Sequence, residues 1–117
     1  MKDLIIIGNG MAGMTAALYA KRANLDFTLV GFDEYEYGQI ANAILVENYP
    51  CAASQSGFDL ADSLHDQLLA NNISIEQHTV KEIKIESDGT FRVITEDEWI
   101  GAAKSIIYAC GCKNREL

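Results

Sequence analysis

The chain opens on an uninterrupted apolar run, Leu4-Ile5-Ile6-Ile7, that stops at Gly8. A short run with no alternation, ended by glycine, predicts a strand buried on both faces. "MAGMTAALYAKRA" (11–23) predicts a helix, and its small residues Ala12, Gly13, Ala16, Ala17 and Ala20 suit close packing on a sheet. Asn24 is its stop signal, and "FTLV" (27–30) is a second buried strand. Strand, helix and strand within about thirty residues make a βαβ unit.

Residues 31–56 show no period and contain the only proline, Pro50. They read as a long irregular loop of the kind that is functional or flexible. From Gly57 onward, Phe58, Ala61, Leu64 and Leu68 recur at helical spacing, and Ser56 with Asp59 resembles a capping box. "ISIEQHTV" (73–80) returns as a strand. Alternation on both sides of Asp88-Gly89 predicts a hairpin, "EWIGAAK" adds a third meander strand, and "SIIYAC" (105–110) is a last buried one. The fold class expected is α/β: a Rossmann-like parallel sheet with one βαβ unit, plus a small antiparallel β meander, as a single domain over residues 1–117.

Composition narrows the partners rather than the fold. The 117 residues are 49% hydrophobic and 22% charged, with a net charge of −8. That charge argues against nucleic acid and anionic membrane. It leaves a phosphate ligand open, because a helix N-terminus binds phosphate through backbone N–H groups alone. No apolar run has the length of a membrane span, and the N-terminus lacks the features of a signal peptide, so the expected location is cytoplasmic. Three cysteines are too few for a disulfide-framed fold and are expected to be reduced.

Candidate chemistry begins at Gly8-Asn9-Gly10-Met11-Ala12-Gly13. A lone GxGxxG is weak, but this one follows a buried strand and opens a helix, the context that gives it meaning. Gly8 permits the tight turn, Gly10 lets the backbone approach a pyrophosphate, and Gly13 lets helix and strand pack closely. A dinucleotide or its ADP half is the implied ligand. The acidic residue that binds the ribose, about twenty positions on, belongs at the end of the second strand, where Gly31 stands instead. Asp33 and Glu34 lie just beyond and are the substitutes; "DEYEY" (33–37) reads equally well as a solvated acidic loop.

With "LIIIGNGMAGMTAALYAKRANL", "YGQI", "VENYP" and "IIYACGCKNREL" in that order, the chain resembles the N-terminal part of thioredoxin reductases. These are the low-molecular-weight flavoproteins of the pyridine nucleotide-disulfide oxidoreductase class. The resemblance implies an incomplete FAD-binding domain of the disulfide-reductase type, with FAD rather than NAD at the first glycine motif. It places Gly8, Gly10, Met11, Ala12 and Gly13 at the pyrophosphate, and Gln39 and Asn48 on the flavin side. It places the Val80 backbone at the adenine, and Ala109, Cys110 and Gly111 at the turn passing close to the cofactor. Tyr37 stands where the family usually has glycine, Cys110 replaces a threonine, and Cys51 falls where glycine follows the proline. A NAD-type Rossmann domain is the reading that "VENYP" and the Ala-Cys-Gly turn oppose.

The remaining chemistry-bearing residues suggest less. His65 is expected at the surface and His78 near a strand end, neither with a partner cluster in sequence. On a strand, Cys110 and Cys112 have Cα atoms about 6.5–7 Å apart, at the edge of the roughly 4.4–6.8 Å that a disulfide spans. The chain has no C-x-x-C and no zinc-ligand spacing. The pair reads as small residues filling family positions, or as a reactive thiol. The resemblance further implies a following NADPH domain and a returning segment that completes the sheet; both are absent from these 117 residues. The expectation is a fragment, a split subunit or a degenerate relative. Residues 105–109 should then form an open edge strand that pairs with a second copy or with a chain supplying the missing half.

Overall fold

A computed structural model of the chain describes residues 1–111. The first strand, β1 (Leu4–Ile7), leads through the glycine turn into α1 (Met11–Arg22) and back into β2 (Phe27–Gly31). A 3-10 turn (Gly38–Asn42) and α2 (Gly57–Ala70) follow, then β3 (Ile75–Gln77). The meander comprises β4 (Val80–Ile85), β5 (Phe91–Thr95) and β6 (Ile100–Ala103), and β7 (Ile106–Tyr108) closes the sequence of elements. The expected α/β class is what the structure shows: a parallel sheet in the order β3-β2-β1-β7 and an antiparallel sheet in the order β4-β5-β6.

β1 sits inside the parallel sheet, with Ile5 opposite Thr28 on one side and Ile106 on the other. Its alternate residues feed two cores, which is why the run carries no polar member. Leu4 and Ile6 pack with Leu29, Met14, Ala17, Ala20, Leu68 and Tyr37 beneath α1 and α2. Ile5 and Ile7 pack with Val30, Val93 and Ala103 beneath the meander. Lys2 bridges to Ala103, tying the meander to the start of the chain.

The local signals act as expected. Asn24 ends α1 with φ +58°. The Ser56 hydroxyl accepts the Asp59 N–H at 3.1 Å, capping α2. Asp88-Gly89 turns the β4–β5 hairpin, with Gly89 at φ +84°.

Four expectations are corrected. The 73–80 strand breaks at His78-Thr79, because β3 belongs to the parallel sheet and β4 to the meander. Phe58 is exposed at the rim of α2, and Leu60 takes the inward position beside Ala61. His65 is not on the surface: it is 1% exposed, because Glu34 and Tyr35 cover it from a segment distant in sequence. The last strand is not fully buried, since among the described residues β7 has a single neighbour, and Ile107 and Tyr108 are exposed. The 31–56 segment also carries more order than its sequence suggests, with the 3-10 turn and a bridge between Val46 and Gln55.

Candidate functional site

The site is built where β1 ends. Gly8 has φ +111°, and a Cβ there would collide with the Ala109 carbonyl, so the turn after β7 is pressed against the glycine turn. A Cβ on Gly13 would collide with the Gly8 carbonyl, which seats α1 directly on the turn. A Cβ on Gly10 would lie 3.1 Å from the Tyr37 carbonyl oxygen. Gly10 is the N-cap of α1 and brings no side chain, and the first turn holds no acidic residue. The N–H groups of Met11, Ala12 and Gly13 therefore lack an intrahelical acceptor and point out with the positive end of the helix dipole. Such a donor set fits a pyrophosphate, and the first turn of α1 carries no carboxylate of its own to compete for it.

The turn after β7 contributes from the other side. The Ala109 N–H donates to Ile7 O at 2.8 Å, and the Cys110 thiol lies 3.7 Å from the same oxygen. Cys110 is exposed and free, and its hydrogen bond with the Tyr108 hydroxyl raises the pKa of that phenol. Gly111 has φ +65°. Cys112, the other half of the suspected pair, lies outside the described residues.

Sequence reasoning missed Asn9, which is 5% exposed and extends toward the loop after β2. Its amide Nδ2 donates to Asp33 O at 2.7 Å and to Glu34 O at 3.3 Å. Neither acid proposed for the ribose is idle. One Asp33 carboxylate oxygen accepts the Tyr35 N–H at 2.9 Å, and Glu34 Oε1 lies 3.1 Å from His65 Nε2 on α2. Tyr37, the departure from the usual glycine, is buried, and its hydroxyl donates to Asp62 Oδ1 at 2.7 Å. Burial first and Asp62 second push its phenol well above its usual range.

The other predicted contacts lie on flanking elements. Gln39 is exposed on the 3-10 turn, and Asn48 is exposed between the bridged residues Val46 and Gln55. Val80 opens β4 opposite Thr95. Just before it, the His78 N–H donates to Gly31 O at 2.9 Å. The His78 ring stacks on Trp99 with centroids 4.7 Å apart, between Asp97 Oδ2 at 2.6 Å and Glu76 Oε2 at 3.1 Å. Hydrogen bonds from the Thr95 hydroxyl and then from His78 lower the Asp97 pKa.

An open cavity of about 340 Å³ lies beside this cluster, lined by Phe32, Gln77, His78, Thr79, Glu96 and Asp97. It sits past the C-terminal ends of β2 and β3, where open α/β sheets bind ligands. A second cavity, about 330 Å³, lies at the opposite end of the strands near Lys2 and Asp26, which that rule disfavours. Among the described residues no group of three His, Cys, Asp or Glu side chains could hold a metal, and no helix is long and apolar enough to cross a membrane.

Comparison with known proteins agrees with this geometry. A family model described as pyridine nucleotide-disulphide oxidoreductase matches residues 2–117. The chain is 40% identical over 116 residues to the "34.2 kDa protein in rubredoxin operon" of Clostridium pasteurianum, covering 98% of this chain and 37% of that one. It is 40% identical over 119 residues to thioredoxin reductase of Listeria monocytogenes, covering 98% and 35%. Thioredoxin reductase from Streptococcus pyogenes superposes with a TM-score of 0.89 at 39% identity, covering all of this chain and 37% of that one. The Lactococcus lactis thioredoxin reductase gives 0.90 at 33% identity, covering all of this chain and 38% of that one. The chain thus spans little more than a third of the length of these relatives. From its glycine turn to its sheet order it belongs to the pyridine nucleotide-disulphide oxidoreductase family.

Proposed function

We propose that the chain is the FAD-binding portion of a thioredoxin-reductase-like flavin oxidoreductase of the cytoplasm. The observation that carries this reading is the uncapped N-terminus of α1, closed on one side by the turn at Ala109 and with no acidic residue in its own first turn. Backbone N–H groups of Met11, Ala12 and Gly13 bind the pyrophosphate, and the Val80 backbone is at the adenine. Ala109, Cys110 and Gly111 flank the cofactor, with Gln39 and Asn48 toward its flavin end. FAD, when bound, supplies the two-electron redox chemistry. These 117 residues contain no C-x-x-C dithiol, so transfer from NADPH to a protein disulfide depends on polypeptide beyond them. The open edge at β7 is where a second copy or a completing chain adds a strand.

The test is the visible spectrum of the purified chain after incubation with FAD and gel filtration. A retained flavin band is the expected result, together with no bleaching on addition of NADPH. No retained flavin and no ADP binding by calorimetry would overturn the nucleotide reading. Light scattering at micromolar concentration checks the edge: a dimer or larger species is expected, and a monomer counts against pairing between copies. The second reading, a non-catalytic module for FAD or an adenine nucleotide, is favoured by the exposed Cys110 in the turn pressed against the glycine motif. Failure of the chain to support NADPH-dependent disulfide reduction even with the missing portion supplied would select it.

A further inference from the structure

We propose that Asn9 is a positioning residue for this site. Its amide sets the 33–37 loop against the phosphate-binding turn, and residue 31 is glycine because Asn9 occupies the space above it. The inference rests on the nucleotide-binding reading and adds a residue to it.

Three observations converge. Asn9 is the middle residue between Gly8 and Gly10, so its backbone belongs to the turn while its side chain belongs to the loop. Asp33 O accepts both the Asn9 amide and the Glu36 N–H at 3.1 Å, which uses both of its lone pairs. A Cβ on Gly31 would run into the Asn9 amide oxygen and lie 3.0 Å from Asn9 Cβ, so no larger residue fits beside this rotamer. A carboxylate at position 31, the ordinary ribose ligand, and Asn9 in its present place are therefore mutually exclusive.

The loop so held is anchored at its far side to α2, through Glu34 to His65 and Tyr37 to Asp62. Gly10 packs on the Tyr37 carbonyl, closing the circuit from turn to loop to helix and back to turn. Asn9 is the member of that circuit that reaches from the turn into the loop by a side chain. Its replacement should loosen the loop without touching the N–H donors of α1.

The experiment compares the wild-type chain with Asn9→Asp, Asn9→Ala, Gly31→Ala and the Asn9→Ala/Gly31→Ala double variant. Aspartate keeps the shape of Asn9 but removes the donor and faces two carbonyl oxygens with a negative charge. Titration with ADP and with FAD should show at least tenfold weaker binding for Asn9→Asp. Amide exchange at Glu34, Tyr35 and Glu36 should be at least tenfold faster, with far-UV circular dichroism unchanged. Gly31→Ala should reproduce both effects alone and add clearly less in the Asn9→Ala background, because the collision with the amide is gone and only the 3.0 Å approach to the residue-9 Cβ remains. Binding by Asn9→Asp within twofold of wild type, with unchanged exchange in the loop, overturns the proposal. So does an additive double variant. If the wild-type chain binds neither ADP nor FAD, the nucleotide reading falls, and the exchange rates alone decide whether Asn9 holds the loop.

Discussion

The glycine turn and the 33–37 loop meet at the same end of the parallel sheet but are held there by different forces. Backbone sterics fix the turn: Gly8 and Gly13 are in contact with main-chain atoms that leave no room for a Cβ. The loop is held by side chains reaching from elsewhere, Asn9 from the turn, Gln77 from the end of β3, and Asp62 and His65 from α2. A turn held by excluded volume fails as a whole when one atom is added. A loop held by several hydrogen bonds loses its order in steps.

Substitutions can break that contrast, beginning with the turn. Gly13→Ala places a methyl group against the Gly8 carbonyl and should cost about 3 kcal/mol, as overpacking does at its upper end, read as a lower urea midpoint. Tyr37→Phe, in the loop, removes one hydrogen bond and should cost about 1 kcal/mol. Its clearer signature is at high pH. The Tyr37 pKa is raised by folding, so its contribution is fully present below about pH 10, the unfolded value, and is lost as pH rises through the folded one. The wild type should therefore destabilise more steeply than Tyr37→Phe in an alkaline titration followed by circular dichroism.

Asp97 offers a smaller effect of the opposite sign. Its pKa is lowered by the Thr95 hydroxyl and then by His78, so its contribution is present above about pH 4 and is lost as pH falls through the folded value. Asp97→Asn should flatten the acid limb of the stability curve and leave the alkaline limb alone. The smallest effect belongs to the segment after the 3-10 turn: Ile44, 92% exposed, should change stability by under about 0.5 kcal/mol when replaced by serine. A larger loss would show that this segment packs against something in solution.

What could be read from sequence follows the same division. The βαβ unit, the Ser56 cap and the Asp88-Gly89 hairpin are local, and each carries its chemistry within a few residues. The glycine motif was legible because its meaning lies in the strand before it and the helix after it. His65 was not, because the Glu34 that satisfies it lies 31 positions away. Asn9 occupies a position where the motif accepts any residue, so no pattern marked it. Gly31 looked like a missing carboxylate, whereas the structure shows the space above it taken by the Asn9 side chain. The family blocks named Gln39, Asn48 and Val80, which the structure carries on the 3-10 turn, between the bridged Val46 and Gln55, and at the start of β4.

The placement of β1 between β2 and β7 also constrains how the chain can fold. Ile5 pairs with Ile106, and the Ser105 hydroxyl donates to Asp3 O across 102 positions. During synthesis the first strand emerges early, yet its neighbour β7 follows only after all the other described elements. Until then the apolar run at 4–7 has one open side, and the long loop that joins the two strands must close before either is satisfied. The β1 side of the parallel sheet is expected to assemble slowly and only once Ile106–Tyr108 is available. A version ending before Ile106 should remain open to misassembly, whatever the quality of its glycine turn.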